Sequence, residues 1–265
     1  YTVRNTLSLH DALPISALIL LGTAKALSRH LAQAEIVCEY RSSEASIPYQ
    51  QRKEFREGFF LIHDQLWETI NLRNDLFQYQ DGLFRQEIPT FNEAVVREAI
   101  LNAVSHRDYR LGGSVFIRQY PTRLEIVSPG GFPYGITVDN ILWRQSPRNR
   151  RIAEVFSKCG LAERSGQGAN RMFEECIKEG KPMPDFSNTD DSQVSLTLRG
   201  DVQDPLFLQF LEKVGKEVLA SFSTKDLLLL DFIHKEKNIP QEFTKSVPRL
   251  LDLGVIVRTG KGRYV

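Results

Sequence analysis

The segment Arg97-Glu-Ala-Ile-Leu-Asn-Ala-Val-Ser-His-Arg-Asp-Tyr109 carries the residues from which the fold and the chemistry are inferred. Its apolar residues recur at helical spacing, so a helix is expected to run through it to about His106. Glu98 and Asn102 are four residues apart and therefore share one face of that helix. A carboxylate and an amide on one face can position a water molecule and hold Mg²⁺, which prefers oxygen ligands.

His106 follows on the same predicted face, and this position predicts that its imidazole lines a pocket with Glu98 and Asn102. The alternative is a packed, hydrogen-bonded histidine without a ligand. The run His-Arg-Asp also occurs in the catalytic loop of protein kinases. That interpretation fails, because the kinase loop needs an Asn five residues after Asp108, where this chain has Gly113.

The flanking sequence predicts the elements around this helix. Thr90 stands three residues before Glu93, which is the spacing of a capping box at a helix start. Apolar periodicity and turn residues give the remaining assignments. We expect helices over 17–31, 53–76, 137–143, 148–159 and 168–179, strands over 35–40, 114–119, 123–127 and 193–199, and a hairpin around Asp81-Gly82.

Two glycine-bearing turns follow the helix, Ser128-Pro-Gly-Gly131 and Ser165-Gly-Gln-Gly168. The second turn opens a predicted helix, where free backbone N–H groups and the helix dipole favour phosphate. The Glu-x-x-x-Asn helix, the paired strands and the two turns occur in sequence. Their order favours a functional site over a chance pairing of surface residues.

Residues 93–186 resemble the divergent GHKL-type ATPase domain of bacterial and archaeal transcriptional regulators. Those regulators are often described as relatives of the C-terminal part of the RecG helicase. The family usually has an upstream Schlafen AlbA-type DNA-binding domain, and many members end in a winged helix. Weaker similarity extends over most of 17–265. The matching strings are Arg97–Tyr109, Leu124–Pro133, Pro147–Asn149 and Glu163–Gly168.

The resemblance implies ATP and Mg²⁺ as cofactors. It assigns Glu98 to the carboxylate that activates the attacking water and Asn102 to the magnesium ligand. Residues from about 132 to 164 would form a lid over the nucleotide. Gly130 and Gly131 would lie beneath the adenine pocket, and Gly166 and Gly168 would shape the turn beside the triphosphate. His106 and Ser128 are also expected among the nucleotide-binding residues.

Ser128 departs from the pattern of the wider GHKL group. That group has an Asp at this position, where its carboxylate reads the amino group of adenine. A hydroxyl is a weaker and less selective partner than a carboxylate. This position therefore bears on adenine specificity and on nucleotide binding itself.

The C-terminal segment has the plan of a winged helix. Helices are expected over 206–219, 224–234 and 241–253, followed by two short strands around a Gly-Lys-Gly turn. Basic side chains on the last helix and on the wing suit phosphate contacts with double-stranded DNA. The alternative is a solvated face on a domain used for packing or dimerisation. The expected DNA-binding residues are Lys245, Arg249, Arg258, Lys261 and Arg263.

These observations predict an α+β fold: a GHKL-like α/β sandwich, with a mixed sheet covered by helices, plus a C-terminal winged-helix domain. Residues 1–16 resemble translated sequencing adapter and are expected to be a non-native leader. An N-terminal helix and strand region over 17–89 would lead into the ATP-binding domain at 90–200. The winged helix would occupy 206–265, and a homodimer is expected.

The composition excludes several classes of protein. The 34 basic and 33 acidic residues of the 265-residue chain leave a net charge of +1, so nucleic-acid contact would require a local basic patch. The longest apolar run, residues 17–22, is far too short to span a membrane. Three scattered cysteines without a Cys-x-x-Cys pair argue against a disulfide framework or a structural zinc site, which favours a cytoplasmic location.

Three functions follow from the sequence. The first is a DNA-binding transcriptional regulator with a GHKL-like nucleotide pocket. The second is a non-enzymatic scaffold or dimerisation regulator that does not bind nucleotide. The third, an ATP-dependent enzyme acting on DNA such as a helicase, ranks last because the sequence has no P-loop.

Overall fold

A five-stranded mixed sheet forms the centre of the computed structural model, which describes residues 9–81, 84–162, 168–259 and 263–265. The strands are β1 (Ile36–Tyr40), β2 (Gln51–Phe55), β3 (Leu76–Asp81), β4 (Phe84–Pro89), β5 (Val115–Gln119), β6 (Arg123–Pro129), β7 (Gln193–Arg199), β8 (Arg258–Thr259) and β9 (Arg263–Tyr264). The helices are α1 (Leu9–Leu21), α2 (Ala24–His30), α3 (Phe59–Asn71), α4 (Glu93–His106), α5 (Arg150–Lys158), α6 (Gly168–Lys178), α7 (Pro205–Val214), α8 (Lys216–Ala220), α9 (Thr224–His234) and α10 (Val247–Asp252), with a 3-10 helix at Gln241–Ser246.

The strands of the central sheet lie in the order β2-β1-β5-β6-β7. β1 runs parallel to β5, whereas the other neighbouring pairs are antiparallel. Cys38 of β1 is opposite Ile117 of β5, which is opposite Ile126 of β6, and all three side chains are buried beneath helices. The predicted mixed sheet covered by helices is therefore confirmed, and strands from the 17–89 region belong to the same sheet as β5–β7.

α4 lies in the middle of the helical layer and runs to His106, as predicted. It packs against β6 and against α3, α5 and α6. Its buried residues are spread around most of the helix, so α4 is a central helix with only part of one side left to form a site. They are Val95, Val96, Glu98, Ala99, Ile100, Leu101, Ala103, Val104 and Ser105.

The N-terminal region differs from the predicted helices. The helix expected over 17–31 is divided into α1 and α2, because the chain turns at Gly22, whose carbonyl accepts the N–H of Gly58 at 2.7 Å, and Thr23 caps α2. Residues 9–16, which fall in the expected non-native leader, belong to α1. The helix predicted over 53–76 is wrong at both ends, where β2 and β3 replace it.

The predicted capping box at Thr90 is wrong. Asn92 is the N-cap of α4, and its Oδ1 accepts the N–H groups of Ala94 and Val95 at 2.9 and 3.2 Å. Thr90 instead donates its hydroxyl to the carbonyl of Asp75 at 2.9 Å. Thr90 therefore closes the base of the β3–β4 hairpin, which is the hairpin predicted around Asp81-Gly82.

The chain between β6 and β7 forms the rim of the candidate site. The short helix predicted over 137–143 is a series of turns, whereas α5, α6 and β7 confirm the elements predicted after it. We call residues 132–149 the lid loop. It covers the part of the predicted lid that precedes α5, while residues 163 and 164 of that prediction lie outside the described residues.

The C-terminal segment contains the predicted elements with two modifications. The helix expected over 206–219 is broken between α7 and α8 at Gly215, which has a φ of +89°. The last helix begins as the 3-10 helix and continues as α10, with Pro248 near the start of α10. β8 and β9 pair as an antiparallel hairpin, and its Gly-Lys-Gly turn lies outside the described residues.

α9 packs against α6, so this segment is joined to the rest of the fold. Within the described ranges, the helices are all too short or too polar to cross a membrane.

Candidate nucleotide-binding site

The structure has a pocket of about 900 Å³ between α4, α5, α6, the lid loop and the ends of β6 and β7. Glu98, Asn102 and His106 of α4 all line it, as does Ser128 at the end of β6. Apolar residues of α4, among them Leu101, line the pocket beside these polar side chains. Gly168 at the start of α6 lines it as well, so five of the sequence-predicted residues are brought together here.

Glu98 and Asn102 contact each other directly. The Nδ2 atom of Asn102 donates a hydrogen bond to Oε1 of Glu98 at 3.0 Å, as their spacing of one helical turn allows. Glu98 is buried, with an exposed fraction of 7%. The bond orients both side chains, and it directs the Oδ1 atom of Asn102 away from the carboxylate.

Gly168 brings the start of α6 against the carboxylate of Glu98. A Cβ atom built on Gly168 would overlap Oε1 of Glu98, so no other residue fits here without movement. The carboxylate thus lies at the N-terminal end of an 11-residue helix, where the dipole and the first backbone N–H groups favour negative charge. The same end of α6 borders the pocket and can accept an anionic group.

Ser128 is buried, and its hydroxyl is already committed as a donor. Oγ donates to the carbonyl of Ala103 in α4 at 2.9 Å. A serine oxygen retains two lone pairs after donating its proton. Towards the pocket, Ser128 can therefore only accept a hydrogen bond.

Gly130 and Gly131 shape the turn after β6 but are not among the residues that line the pocket. Gly130 has a φ of +92°, and its N–H donates to the carbonyl of Ser192 at 2.7 Å. A Cβ on Gly130 would lie 2.7 Å from Cβ of Asp108. These glycines allow a close approach between the turn and its neighbours, while Gly166 lies outside the described residues.

His106 lies at the C-terminal end of α4 and lines the pocket. Its Nδ1 atom is buried and has no hydrogen-bond partner in the described part of the chain. Burial, and secondarily the positive charge of Arg148, lowers the pKa of His106 to about 4. The imidazole is therefore neutral at physiological pH. At Nδ1 this differs from the packed, hydrogen-bonded histidine considered as the alternative.

Arg148 and Asn149 fix the end of the lid loop, a role that sequence reasoning missed. Arg148 donates from Nη1 to Oδ2 of Asp108 at 2.9 Å and from Nη2 to the carbonyl of Gly131 at 2.6 Å. Asn149 donates Nδ2 to the carbonyls of Ser105 and Arg107, at 3.0 and 2.7 Å. These are carbonyls that the end of α4 leaves unpaired. The Pro-Arg-Asn string was a signal in the sequence, but nothing in it named these distant partners.

Arg107 and Asp108 follow the end of α4 and contact different partners. Arg107 is 1% exposed and donates to the carbonyls of Gln33 and Leu111, while burial lowers its pKa. Asp108 pairs with Arg110 and Arg148. The hydrogen bonds from Arg110 hold the pKa of Asp108 well below its usual range.

The pocket changes character from its interior to its mouth. The inner wall is apolar and includes Ile126, Met172 and Leu196. Three cationic side chains stand around the mouth, namely Arg144, Arg150 and Lys158, and Arg150 also pairs with Glu154 at 2.9 Å. An apolar interior with a cationic mouth suits a ligand that combines a flat apolar ring with negative charge.

The described residues contain no group of three or more His, Cys, Asp or Glu side chains that could hold a metal ion.

The predicted DNA-contacting residues differ in whether their side chains are exposed or bound to other residues of the chain. Lys245, Arg258 and Arg263 are exposed, and on the β8–β9 hairpin Arg258 is opposite Tyr264 while Arg263 is opposite Thr259. Arg249 donates from Nη1 to Oδ2 of the buried Asp226 at 2.8 Å and from Nη2 to the carbonyl of Ser221. Lys261 lies outside the described residues.

Comparisons with known proteins agree with this architecture. Residues 112–198 match the family model described as "Putative ATP-dependent DNA helicase recG C-terminal". This match supports the relationship to the RecG C-terminal family and an ATPase-like domain. No curated protein matches the chain.

One solved structure with the same fold is the crystal structure of the DIP2311 protein from Corynebacterium diphtheriae. The two chains are 23% identical, with a TM-score of 0.69 over 76% of this chain and 41% of that chain. At this identity the similarity shows the fold. The present chain spans about two-fifths of that protein.

Proposed function

We propose that this protein is a transcriptional regulator that binds ATP with Mg²⁺ in the pocket on α4 and double-stranded DNA through its C-terminal segment. One observation carries the nucleotide part of the proposal. The paired side chains of Glu98 and Asn102 face a pocket of about 900 Å³, directly beside the glycine that opens α6. This arrangement combines oxygen donors with a helix N-terminus suited to phosphate.

The distribution of charge supports a nucleotide as the ligand. The apolar interior around Ile126 and Leu196 would receive the base, because burial of a flat apolar ring is favourable there. The mouth would receive the phosphates, since Arg144 and Lys158 supply positive charge.

The residues fit a magnesium ion that is shared with the ligand. Asn102 uses Nδ2 to hold Glu98, so its Oδ1 atom is the one that would serve as a ligand. When bound, Mg²⁺ neutralises phosphate charge. If ATP is hydrolysed, Glu98 would accept the proton of the attacking water, a role for which its burial and its bond to Asn102 orient it.

Ser128 would take part in recognition of the base. Its proton is held by the carbonyl of Ala103, so the oxygen would accept a hydrogen bond from an amino group such as that of adenine. A carbonyl at the same position, as in guanine, would face the lone pairs of Ser128 without a proton between them. We therefore expect ATP to be preferred over GTP.

The DNA part of the proposal rests on the order of elements in the C-terminal segment. α9, the 3-10 helix with α10, and the β8–β9 hairpin follow one another as they do in a winged helix. Lys245, Arg258 and Arg263 are exposed on this segment and would contact phosphate. A homodimer would bring two such segments to one DNA site.

Thermal-shift titration with ATP or GTP, each with Mg²⁺, tests the nucleotide part. The proposal predicts a concentration-dependent rise in melting temperature with ATP that is larger than with GTP. Asn102→Ala should lose the shift, whereas Gly112→Ala, a change in open space, should keep it. No shift with either nucleotide would favour the non-enzymatic scaffold instead.

A further inference from the structure

Two elements that border the pocket also contact the C-terminal helices. The first is the lid loop, in which Ile141 and Arg144 line the pocket on either side of Trp143. The second is α6, whose first residue, Gly168, lies against Glu98. The lid loop and α6 therefore each contact both the pocket and the segment proposed to bind DNA.

Trp143 is the contact made by the lid loop. Its ring meets the ring of Phe243 edge to face, with centroids 6.1 Å apart and an interplanar angle of 62°. The ammonium group of Lys225 lies 4.8 Å from the centre of the Trp143 ring on the α9 side. Edge-to-face aromatic pairs and cation–π contacts are both favourable, so Trp143 is held from two elements of the C-terminal segment.

The two partners of Trp143 lie in α9 and in the 3-10 helix that precedes α10. Phe243 is 4% exposed and lies in the 3-10 helix that continues into α10. It also packs against Phe232 of α9, with centroids 5.4 Å apart. A movement of Trp143 would therefore act on the seam between α9 and the 3-10 helix.

α6 makes the second connection. Glu174 accepts a hydrogen bond from the hydroxyl of Thr224, the first residue of α9. Asp226, in the same turn of α9, accepts from Arg249 of α10 at 2.8 Å. Hydrogen bonds from two residues at the start of α9 thus connect this helix to α6 and to α10.

We infer that Trp143 couples the pocket to the C-terminal helices, so that occupancy of the pocket alters the position or stability of the 3-10 helix and α10. This inference rests on the proposed function for the identity of the ligand, but the contact itself does not. Ile141 and Arg144, on either side of Trp143, line the pocket, so a ligand between α4 and the lid loop is in reach of both. Because coupling is reciprocal, a change in the C-terminal helices would also change the affinity of the pocket.

The first test uses the intrinsic fluorescence of the chain, which contains two tryptophans, Trp67 and Trp143. Trp67→Phe leaves Trp143 as the only indole. We expect its emission and its quenching by acrylamide to change on titration with ATP and Mg²⁺. The reverse variant, Trp143→Phe, should show little change. Binding measured directly by calorimetry, with no change in Trp143 emission, would overturn the inference.

The second test measures hydrogen exchange over residues 241–252 in the full chain. Trp143→Ala should accelerate exchange there by about three- to tenfold even without nucleotide, as expected for loss of an aromatic pair. Tyr134→Ala removes an aromatic ring that is fully exposed on the same loop and should leave exchange unchanged. With nucleotide, exchange over 241–252 should change in the wild type and change less in Trp143→Ala.

The outcomes separate the two proposals. If Trp143→Ala and Tyr134→Ala give the same exchange over 241–252, the inference fails, whether or not nucleotide binds. If calorimetry shows no binding of ATP to the wild type, the proposed function fails, and the ligand-free comparison still decides whether Trp143 holds the C-terminal helices. Lys225→Met, at an exposed position, provides a second variant that leaves the core intact.

Discussion

The backbone of Gly168 lies directly against the carboxylate of Glu98, so closely that a Cβ on Gly168 would overlap Oε1 of Glu98. The two residues are 70 positions apart in the sequence and belong to α6 and α4. Their contact joins the start of one helix to the acidic side chain of another, and both residues line the pocket. A side chain at this position would therefore require the Glu98 carboxylate or the start of α6 to move.

Gly168→Ala should therefore disturb both the fold and the site. The added methyl must displace the Glu98 side chain or shift α6, which should lower the free energy of unfolding by about 1–3 kcal/mol and weaken nucleotide binding. Chemical denaturation and calorimetry measure the two effects. Gly112→Ala is the matched control, since a Cβ there meets nothing within 4 Å. Equal behaviour of the two variants would show that the Glu98 contact has no consequence.

Glu98→Gln separates binding from hydrolysis. Gln keeps the shape of Glu but cannot accept a proton from water, so turnover should fall by at least about 100-fold. The affinity for ATP should remain within a few-fold of wild type. Phosphate release and calorimetry provide the measurements. Turnover at the wild-type rate would show that Glu98 is not the base.

The buried His106 predicts a dependence of stability on pH. Its pKa is about 4 in the folded protein against 6.5 when exposed, so between these values the unfolded chain binds the proton more tightly. Stability should therefore fall as pH decreases through this window, by about 2 kcal/mol between pH 7.5 and pH 5 from this group alone. Urea denaturation at a series of pH values measures it.

Comparison with two variants isolates the contribution of His106. His106→Gln should remove that part of the pH dependence, whereas His30→Gln, at an exposed position, should retain it. If His106→Gln shows the same slope of stability against pH as the wild type, the imidazole is not held neutral in the folded protein.

Substitutions of basic residues in the C-terminal segment should have two different effects, one on DNA affinity and the other on stability. Lys245→Ala with Arg263→Ala should weaken DNA binding and make the slope of log affinity against log salt less negative by about 2. Arg249→Ala should instead lower the free energy of unfolding by about 1–3 kcal/mol, because it removes a charged partner of the buried Asp226. Mobility-shift titrations and denaturation curves distinguish them. An unchanged salt slope in the double variant would contradict DNA binding by this surface.

Parts of the fold could be predicted because the pattern of apolar residues in the sequence matches the pattern of burial in the structure. β5 and β6 alternate between buried and partly exposed residues, and this alternation is visible in the sequence. β2 was missed because its first four residues, Gln51 to Glu54, are all exposed on an edge strand, so no face carries an apolar pattern. Thr90 matches the capping-box pattern, but its hydroxyl donates a hydrogen bond to the distant carbonyl of Asp75 and does not cap α4.

The candidate site was likewise only partly predictable from the sequence. Glu98 and Asn102 could be paired from the sequence because a spacing of four fixes their relation on any helix. The roles of Arg148 and Asn149 could not be predicted, since their partners lie 17 to 44 residues away and are mostly backbone carbonyls, which leave no mark on the sequence. The commitment of the Ser128 proton to Ala103 depends on how β6 packs against α4, which only the folded chain reveals.

Isothermal titration calorimetry of the wild-type chain with ATP in the presence and absence of Mg²⁺ tests the central claim most directly. The account predicts saturable binding of one ATP per chain that is strengthened by Mg²⁺. Asn102→Ala should weaken this binding at least tenfold, while Gly112→Ala should leave it unchanged. Absence of saturable binding to the folded wild type, or equal affinity in Asn102→Ala, would contradict the claim that the pocket on α4 is a nucleotide site.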